Sequence, residues 1–201
     1  MANSNKKAII MNFSPVLLDI PEQFETERLE IRAVVPGNGE LHFQALQESL
    51  TDLRRYLSHL SWVKDEPSLS GSEKYCRLQR SSFIQRDNLV YFIFLKSDQN
   101  LIGSIGLNRI DWNIPKFEIG YWCRTSAQGN GYMVEAVNAL TGLALDKLAA
   151  RRLEIRADDV NVLSWKVAEK AGFELEGILR KCEKDEVTGD LRDLRIYAKI
   201  A

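Results

Sequence analysis

Apolar residues recur along this chain in two periods, and the switches between them mark its elements. Alternation at Leu29, Ile31 and Ala33 predicts a first strand over 25–35, ended by Pro36-Gly-Asn-Gly39. Helical spacing follows over 40–50, 51–60 and 70–87, the last expected to begin near Ser70 or Ser72 with Glu73 in its first turn. Strand-like runs at 89–96, 101–110 and 116–124 then arrive in succession, with Ser97-Asp-Gln-Asn100 as the first turn, and read as an antiparallel meander. From 131 to 149, Met133, Val137, Leu140, Ala144 and Leu148 fall on one helical face that should pack on the sheet. A strand at 152–157, a short helix at 161–171 and a hairpin of 174–182 with 191–200, turning at Thr188-Gly189-Asp190, complete the chain. The order βααα, βββ, αβ, αββ gives an α+β domain in two layers with about seven strands. It spans 24–201, behind a loosely structured extension over 1–23.

The 201 residues suit one domain with a sizeable core. Lysine and arginine number 27 against 28 acidic residues, so no net field draws the chain to nucleic acid or to an anionic membrane. Cys76, Cys123 and Cys182 are scattered, odd in number and without a C-x-x-C pair, which predicts free thiols, no metal site and a reduced, cytoplasmic setting. Lys6 and Lys7 precede a short apolar patch over 8–11 that Asn12 breaks far short of a signal-peptide core, and no apolar run approaches membrane-spanning length.

The most telling local chemistry is Gln128-Gly-Asn-Gly-Tyr-Met133, between the 116–124 strand and the following helix. Gly129 and Gly131 can take backbone angles closed to other residues and let a phosphate approach the main chain. The first helical amides lack intrahelical partners and, with the macrodipole, favour an anion. A Rossmann dinucleotide fold would use such a turn, but as the opening of a βαβ unit with a third small residue. Here Val134 stands in that third position and a meander precedes the turn, so a nucleotide oxidoreductase is the distant alternative.

Residues 24–200 resemble the GNAT superfamily of acetyl-CoA-dependent N-acetyltransferases, in particular the RimJ/RimL-like branch that acetylates N-termini of ribosomal proteins and related small amines. The resemblance rests on Thr26-Glu-Arg-Leu-Glu-Ile-Arg32, Glu118-Ile-Gly-Tyr-Trp122, Gln128-Gly-Asn-Gly131, Asn161-Val-Leu-Ser164 and Glu169-Lys-Ala-Gly-Phe173. It implies a mixed, mostly antiparallel sheet flanked by helices, with the strands near 116–124 and 152–157 splayed around the pantetheine arm. It implies that Gln128, Gly129, Asn130, Gly131, Tyr132 and Met133 hold the CoA pyrophosphate, with Trp122, Cys123, Arg124, Asn161 and Ser164 along the arm. The implied partners are acetyl-CoA and an amine acceptor, a protein N-terminus first among them. Polyamines, aminoglycosides or amino acids, and a non-catalytic acetyl-CoA-binding module, are the alternatives. A homodimer is left open.

An acetyl transfer needs an unprotonated amine and relief of charge on the departing thiolate. Strand alternation places Glu118 on one face with Gly120 and Trp122, where many relatives carry an acid, so Glu118 is the candidate base, set against a solvated strand carboxylate. Many superfamily members carry a general-acid tyrosine five residues before the Phe of the Gly-Phe pair; here that position is Ala168. RimL-like members have a serine three residues after the asparagine, which matches Ser164, the candidate partner of the CoA sulfur. The structural readings are a helix N-cap for Asn161 and a first-turn residue for Ser164. Cys123 faces away from Glu118 and reads as a packed thiol rather than an acyl carrier. His42 and His59 are expected to be surface or half-buried and receive no role. Trp62, Trp112 and Trp165 read as packing residues, Trp62 with the option of lining the acceptor cleft. The run 181–190 reads as a solvated turn whose acids would favour a cationic acceptor if it rims that cleft.

Overall fold

The structure, a computed structural model, describes residues 14–57, 60–186 and 188–201. Residues 1–13 and His59 lie outside the described residues, and with them the readings made on 8–11 and on that histidine.

The strands are β1 (Gln23–Glu25), β2 (Leu29–Ala33), β3 (Leu89–Leu95), β4 (Leu101–Asp111), β5 (Lys116–Cys123), β6 (Arg152–Asp158), β7 (Glu174–Lys184) and β8 (Leu191–Ile200). They form one sheet in the order β1-β2-β3-β4-β5-β6-β8-β7, and only the β5–β6 pair is parallel. That is eight strands among the described residues where alternation predicted about seven. The extra one is β1, which folds back on β2 through Thr26-Glu27-Arg28, the Thr26 amide donating to the Leu29 carbonyl. Three residues are too few for alternation to reveal. The end of the expected extension packs on the domain: Ile20 is buried in the core, and the Tyr91 hydroxyl donates to the Pro21 carbonyl.

The helices are α1 (Gly39–Leu57), α2 (Ser61–Lys64), α3 (Leu69–Gln85), α4 (Tyr132–Leu148) and α5 (Val162–Lys170). Two layers were expected and three are present, because α4 and α5 cover one face of the sheet while α1 and α2, with Cys76 of α3, cover the other. All five residues picked out on α4 are buried, each large one contributing about 1.5–3 kcal/mol.

One helix, α1, replaces the two predicted over 40–60. His42, Ala45, Leu46, Ser49 and Leu53 form an unbroken buried stripe, and no glycine or proline interrupts it. Its Ser49 and Asp52 reach across to the loop after β5: Thr125 N–H donates to Ser49 Oγ (3.1 Å) and Thr125 Oγ1 to Asp52 Oδ2 (2.8 Å). Helix α3 begins earlier than expected, since the N-cap is Ser68, whose hydroxyl accepts from the Gly71 amide.

Candidate active site

The turn after β5 has the geometry its glycines permit. Gly129 and Gly131 sit at φ 79° and 78°, the left-handed region. A Cβ at Gly129 would meet nothing within 4 Å, and one at Gly131 only Arg28 Nη2 at 3.7 Å, so both stand over open space. Helix α4 starts at Tyr132, which leaves the amides of its first turn available to an anion. The Thr26 to Arg32 motif explains why the turn holds still. Arg28 donates to the Asn130 carbonyl (3.1 Å), pairs with Glu135 of α4 (2.6 Å) and lies 4.6 Å over the Tyr132 ring, and Thr26 Oγ1 donates to the same Glu135.

From this turn a cavity of about 740 Å³ runs between β5 and β6. The two strands pair at Lys116–Arg152, Phe117–Leu153 and Glu118–Glu154 and no further, although β5 continues to Cys123 and β6 to Asp158. Beyond Glu118 the facing edges part. Backbone amides and carbonyls there need partners from whatever enters, which suits an extended arm carrying amides of its own. Gln128, Gly129, Gly131, Tyr132 and Met133 line one end, and Trp122, Cys123, Asn161 and Ser164 the passage. These residues fit a phosphate-bearing carrier with a long arm. Arg124 and Asn130, expected with them, point elsewhere: Arg124 pairs with Glu48 (2.6 Å), Asn130 Nδ2 donates to the Ala127 and Gln128 carbonyls, and neither residue lines the cavity.

Asn161 Oδ1 accepts from the Ser164 amide (3.2 Å), capping α5 and fixing the serine at the cavity wall. Ser164 Oγ lies 3.4 Å from the hydroxyl of Tyr121, which in turn donates to the Ser164 carbonyl (2.9 Å). Burial pushes the Tyr121 phenol up to about 12. Tyr121 was missed because alternation places it on the face opposite Glu118, and its motif neighbours drew the attention; only contact across the cleft reveals it.

Glu118 lines the same cavity, its side chain 19 % exposed, with Arg109 Nε at 3.5 Å and Arg156 Nε at 3.8 Å. Burial raises its pKa above the ordinary carboxylate value; the two arginines oppose this, and Glu154 and Glu183 add to it. Cys123 is a packed thiol pushed by burial to about 11, which suppresses the thiolate a nucleophile would need. Trp112 and Trp165 pack as expected, their indole N–H groups donating to the Arg86 and Asp159 carbonyls.

Two expectations are corrected. His42 is buried rather than peripheral: its ring stacks on Tyr75 (4.5 Å) and Phe92 (5.6 Å), behind the Trp62 and Trp122 that border the cavity. A histidine in a helical stripe resembles any polar residue until the aromatic rings of four other elements close around it. The run 181–190 is not simply a solvated turn. Asp185 is buried against Arg192, which also holds Asp158 (2.5 Å) and the Arg55 carbonyl (3.1 Å), so this hairpin is strapped to the cavity mouth.

A glycine turn suited to an anion, a cleft opened between two parting strands and a half-buried carboxylate at the far end fit an acyltransferase fed by a phosphorylated carrier. Residues 28–174 match the acetyltransferase (GNAT) domain family. The ribosomal-protein-serine acetyltransferase of Escherichia coli (strain K12) is 31 % identical over 176 residues, covering 87 % of this chain and 94 % of that protein. A solved structure of RimL, the ribosomal L7/L12 alpha-N-protein acetyltransferase in complex with coenzyme A, superposes with a TM-score of 0.79 at 26 % identity, over 90 % of this chain and 97 % of that one. The microcin C7 self-immunity acetyltransferase MccE shares the fold, with a TM-score of 0.80 at 23 % identity over 88 % and 94 % of the two chains. The chain belongs to the GNAT family and is an acetyl-CoA-dependent N-acetyltransferase. Among the described residues no helix is long and apolar enough to cross a membrane.

Proposed function

We propose that this enzyme acetylates the α-amine of a protein N-terminus, by direct attack on acetyl-CoA in a ternary complex. The observation that carries this reading is the half-buried Glu118 carboxylate at the point where β5 and β6 part, because that is where an acetyl group would emerge from the cleft. In this mechanism Glu118 takes the amine proton, directly or through a water. The amine nitrogen bonds to the thioester carbonyl carbon, and the tetrahedral oxyanion collapses. The C–S bond breaks with its electron pair on sulfur, and the Ser164 hydroxyl, held beside Tyr121, hydrogen-bonds the departing thiolate. An α-amine, with a pKa near 7.7–8.0, needs far less help than a lysine-like amine near 10.4, so one carboxylate and good positioning suffice.

Charge at the mouth supports this acceptor class over a polyamine or aminoglycoside. Glu118 stands between Arg109 and Arg156, and Arg192 bridges Asp158 and Asp185. Of the acids in the 181–190 run, Asp185 is matched by Arg192 and Glu186 by Lys64. The Escherichia coli relative and RimL are named for ribosomal-protein acceptors, and acceptors of that kind would place the reaction in the cytoplasm. The deciding experiment is mass-spectrometric mapping of acetylation across N-terminal peptides, polyamines, aminoglycosides and amino acids. Acetyl groups on peptide α-amines are expected. Modification of small amines alone would replace this reading, and absence of thiol release with every amine would return a non-catalytic binding module.

A further inference from the structure

Along β5 from Trp122, which with Trp62 and Tyr75 forms an aromatic wall of the cavity, stands Glu118, and the strand beside it is irregular there. Asn108 pairs with Glu118 and Asp111 with Lys116, so β4 places two residues, Arg109 and Ile110, opposite Phe117 alone. This is a β-bulge, and it breaks the alternation of side chains. Ile105 and Leu107 pack in the core that α4 covers, and a period of two would send Arg109 after them; Ile110 goes instead. Arg109 is turned to the opposite face, where it lines the cavity with Asn108 and brings its Nε to 3.5 Å from Glu118 Oε2.

The bulge holds Arg109 at φ 46°, in the left-handed region, where a glycine would sit without strain. An arginine at such an angle has to be explained by its side chain. Stability does not explain it, because that side chain is 63 % exposed, and an ion pair so open to water contributes less than the backbone angle costs. Among the described residues its only ion pair is with Glu118. Arg156 approaches the same oxygen from β6, Nε to Oε2 3.8 Å. Two guanidinium groups on two strands therefore bracket Oε2 and leave Oε1 clear. A base is served by this arrangement, since charge fixes one oxygen while the other keeps its lone pairs for the proton it takes.

On the reading of Glu118 as the base, we propose that Arg109 is a positioning residue for the transfer: the bulge in β4 aims it at Glu118 Oε2, which turns Oε1 to the incoming amine and keeps the carboxylate ionised. The charged groups that act on this carboxylate are Arg109 from β4, Arg156 and Glu154 from β6, and Glu183 from β7. Glu154 is itself paired with Arg152 at 2.7 Å. Without the Arg109 cation, burial and the two acids are opposed by Arg156 alone, so the charged form is disfavoured and a higher pH is needed to reach it.

The test is the pH profile of kcat/KM, read by thiol release from acetyl-CoA with a peptide acceptor, for wild type, Arg109→Gly, Arg109→Lys and Glu118→Gln, with the melting temperature of each. The limb set by the amine's own pKa is common to all four proteins and cancels in the comparison. An opposite charge this close moves a carboxylate by about 1–3 pH units when shielded, and the exposure of Arg109 reduces that. In Arg109→Gly the acid limb should therefore move up by roughly half to one pH unit, about a three- to tenfold loss of kcat/KM on the limb. Its melting temperature should stay at or above that of wild type, because glycine relieves the left-handed angle. Arg109→Lys, which restores the charge, should bring the limb most of the way back. A limb that does not move in Arg109→Gly, or moves as far in Arg109→Lys, would overturn the assignment, as would a melting temperature several degrees lower in Arg109→Gly, the mark of a merely structural residue. If Glu118→Gln keeps the wild-type limb, the base itself is misassigned and Arg109 falls with it; if that limb vanishes in Glu118→Gln yet stands unmoved in Arg109→Gly, only the positioning role falls.

Discussion

Acidification should undo the aromatic wall from behind, through His42. Its ring is 1 % exposed, lies nearly parallel to Tyr75 (9°) and Phe92 (8°), and places Nδ1 3.0 Å from Ser72 Oγ. Burial pushes its pKa down from 6.5 to about 4. In the fold the imidazole therefore stays neutral while its unfolded counterpart gains a proton below pH 6.5, so the unfolded state binds more protons in that window. Stability attached to His42 is fully present above 6.5, declines as the pH falls toward 4, and levels off below. At about 1.36 kcal/mol per pH unit, the interval from 7.5 to 4.5 should remove about 2–3 kcal/mol, a large share of a typical domain's 5–15. The assay is urea unfolding followed by tryptophan fluorescence at both pH values, for wild type and for His42→Gln, which cannot titrate. Carboxylates that titrate in the same interval act in both proteins and cancel in the difference. Wild type should lose about 2–3 kcal/mol more than the variant. The same loss in both would show that the ring is charged or solvated in the fold, and the account of the wall would be wrong.

Glu118→Gln should lower turnover by about 10²- to 10⁴-fold with a lysine-like acceptor and by less with an α-amine. Because burial raises the Glu118 pKa, and the carboxylate must be ionised to act, the acid limb of the wild-type kcat/KM profile should lie above the ordinary carboxylate range and vanish in the variant; superimposable profiles would remove Glu118 from the mechanism. Ser164→Ala should reduce kcat roughly tenfold or more while leaving the acetyl-CoA Kd nearly unchanged, since a hydrogen bond to sulfur strengthens as charge develops there; equal turnover where chemistry limits the rate would leave Ser164 as a helix residue. Gly131→Val puts a branched side chain at φ 78°, costing about 1–2 kcal/mol of backbone strain, and should weaken acetyl-CoA binding measured by calorimetry; full affinity would take the turn out of the donor site.

The donor side of this enzyme was legible in sequence because it is built from main chain. Gly129 and Gly131 announce a left-handed turn by their identity, the apolar period from Met133 to Leu148 announces the helix behind it, and the two are contiguous. Misreadings arose where a polar residue serves a distant partner. Ser49 and Asp52 tie α1 to Thr125, and Arg124, expected along the arm, pairs with Glu48. Side-chain chemistry alone does not separate local from long-range use of the same group.

The acceptor side was opaque for a matching reason. Trp62 comes from α2, Tyr75 from α3, Trp122 from β5 and His42 from α1, and no spacing along the chain connects them. Even Gly120, inside a motif already singled out, reads as one more strand residue until its opposite number is known. Only the pairing with Gly106, and the contrast between a Cβ blocked by backbone at one and met by a side-chain amide at the other, shows which of the two glycines main-chain packing requires. Backbone-built sites for a shared co-substrate therefore survive in short motifs, while a side-chain pocket for a particular acceptor is free to drift across four elements, which is why acceptor identity has to be read from contacts and tested on substrates.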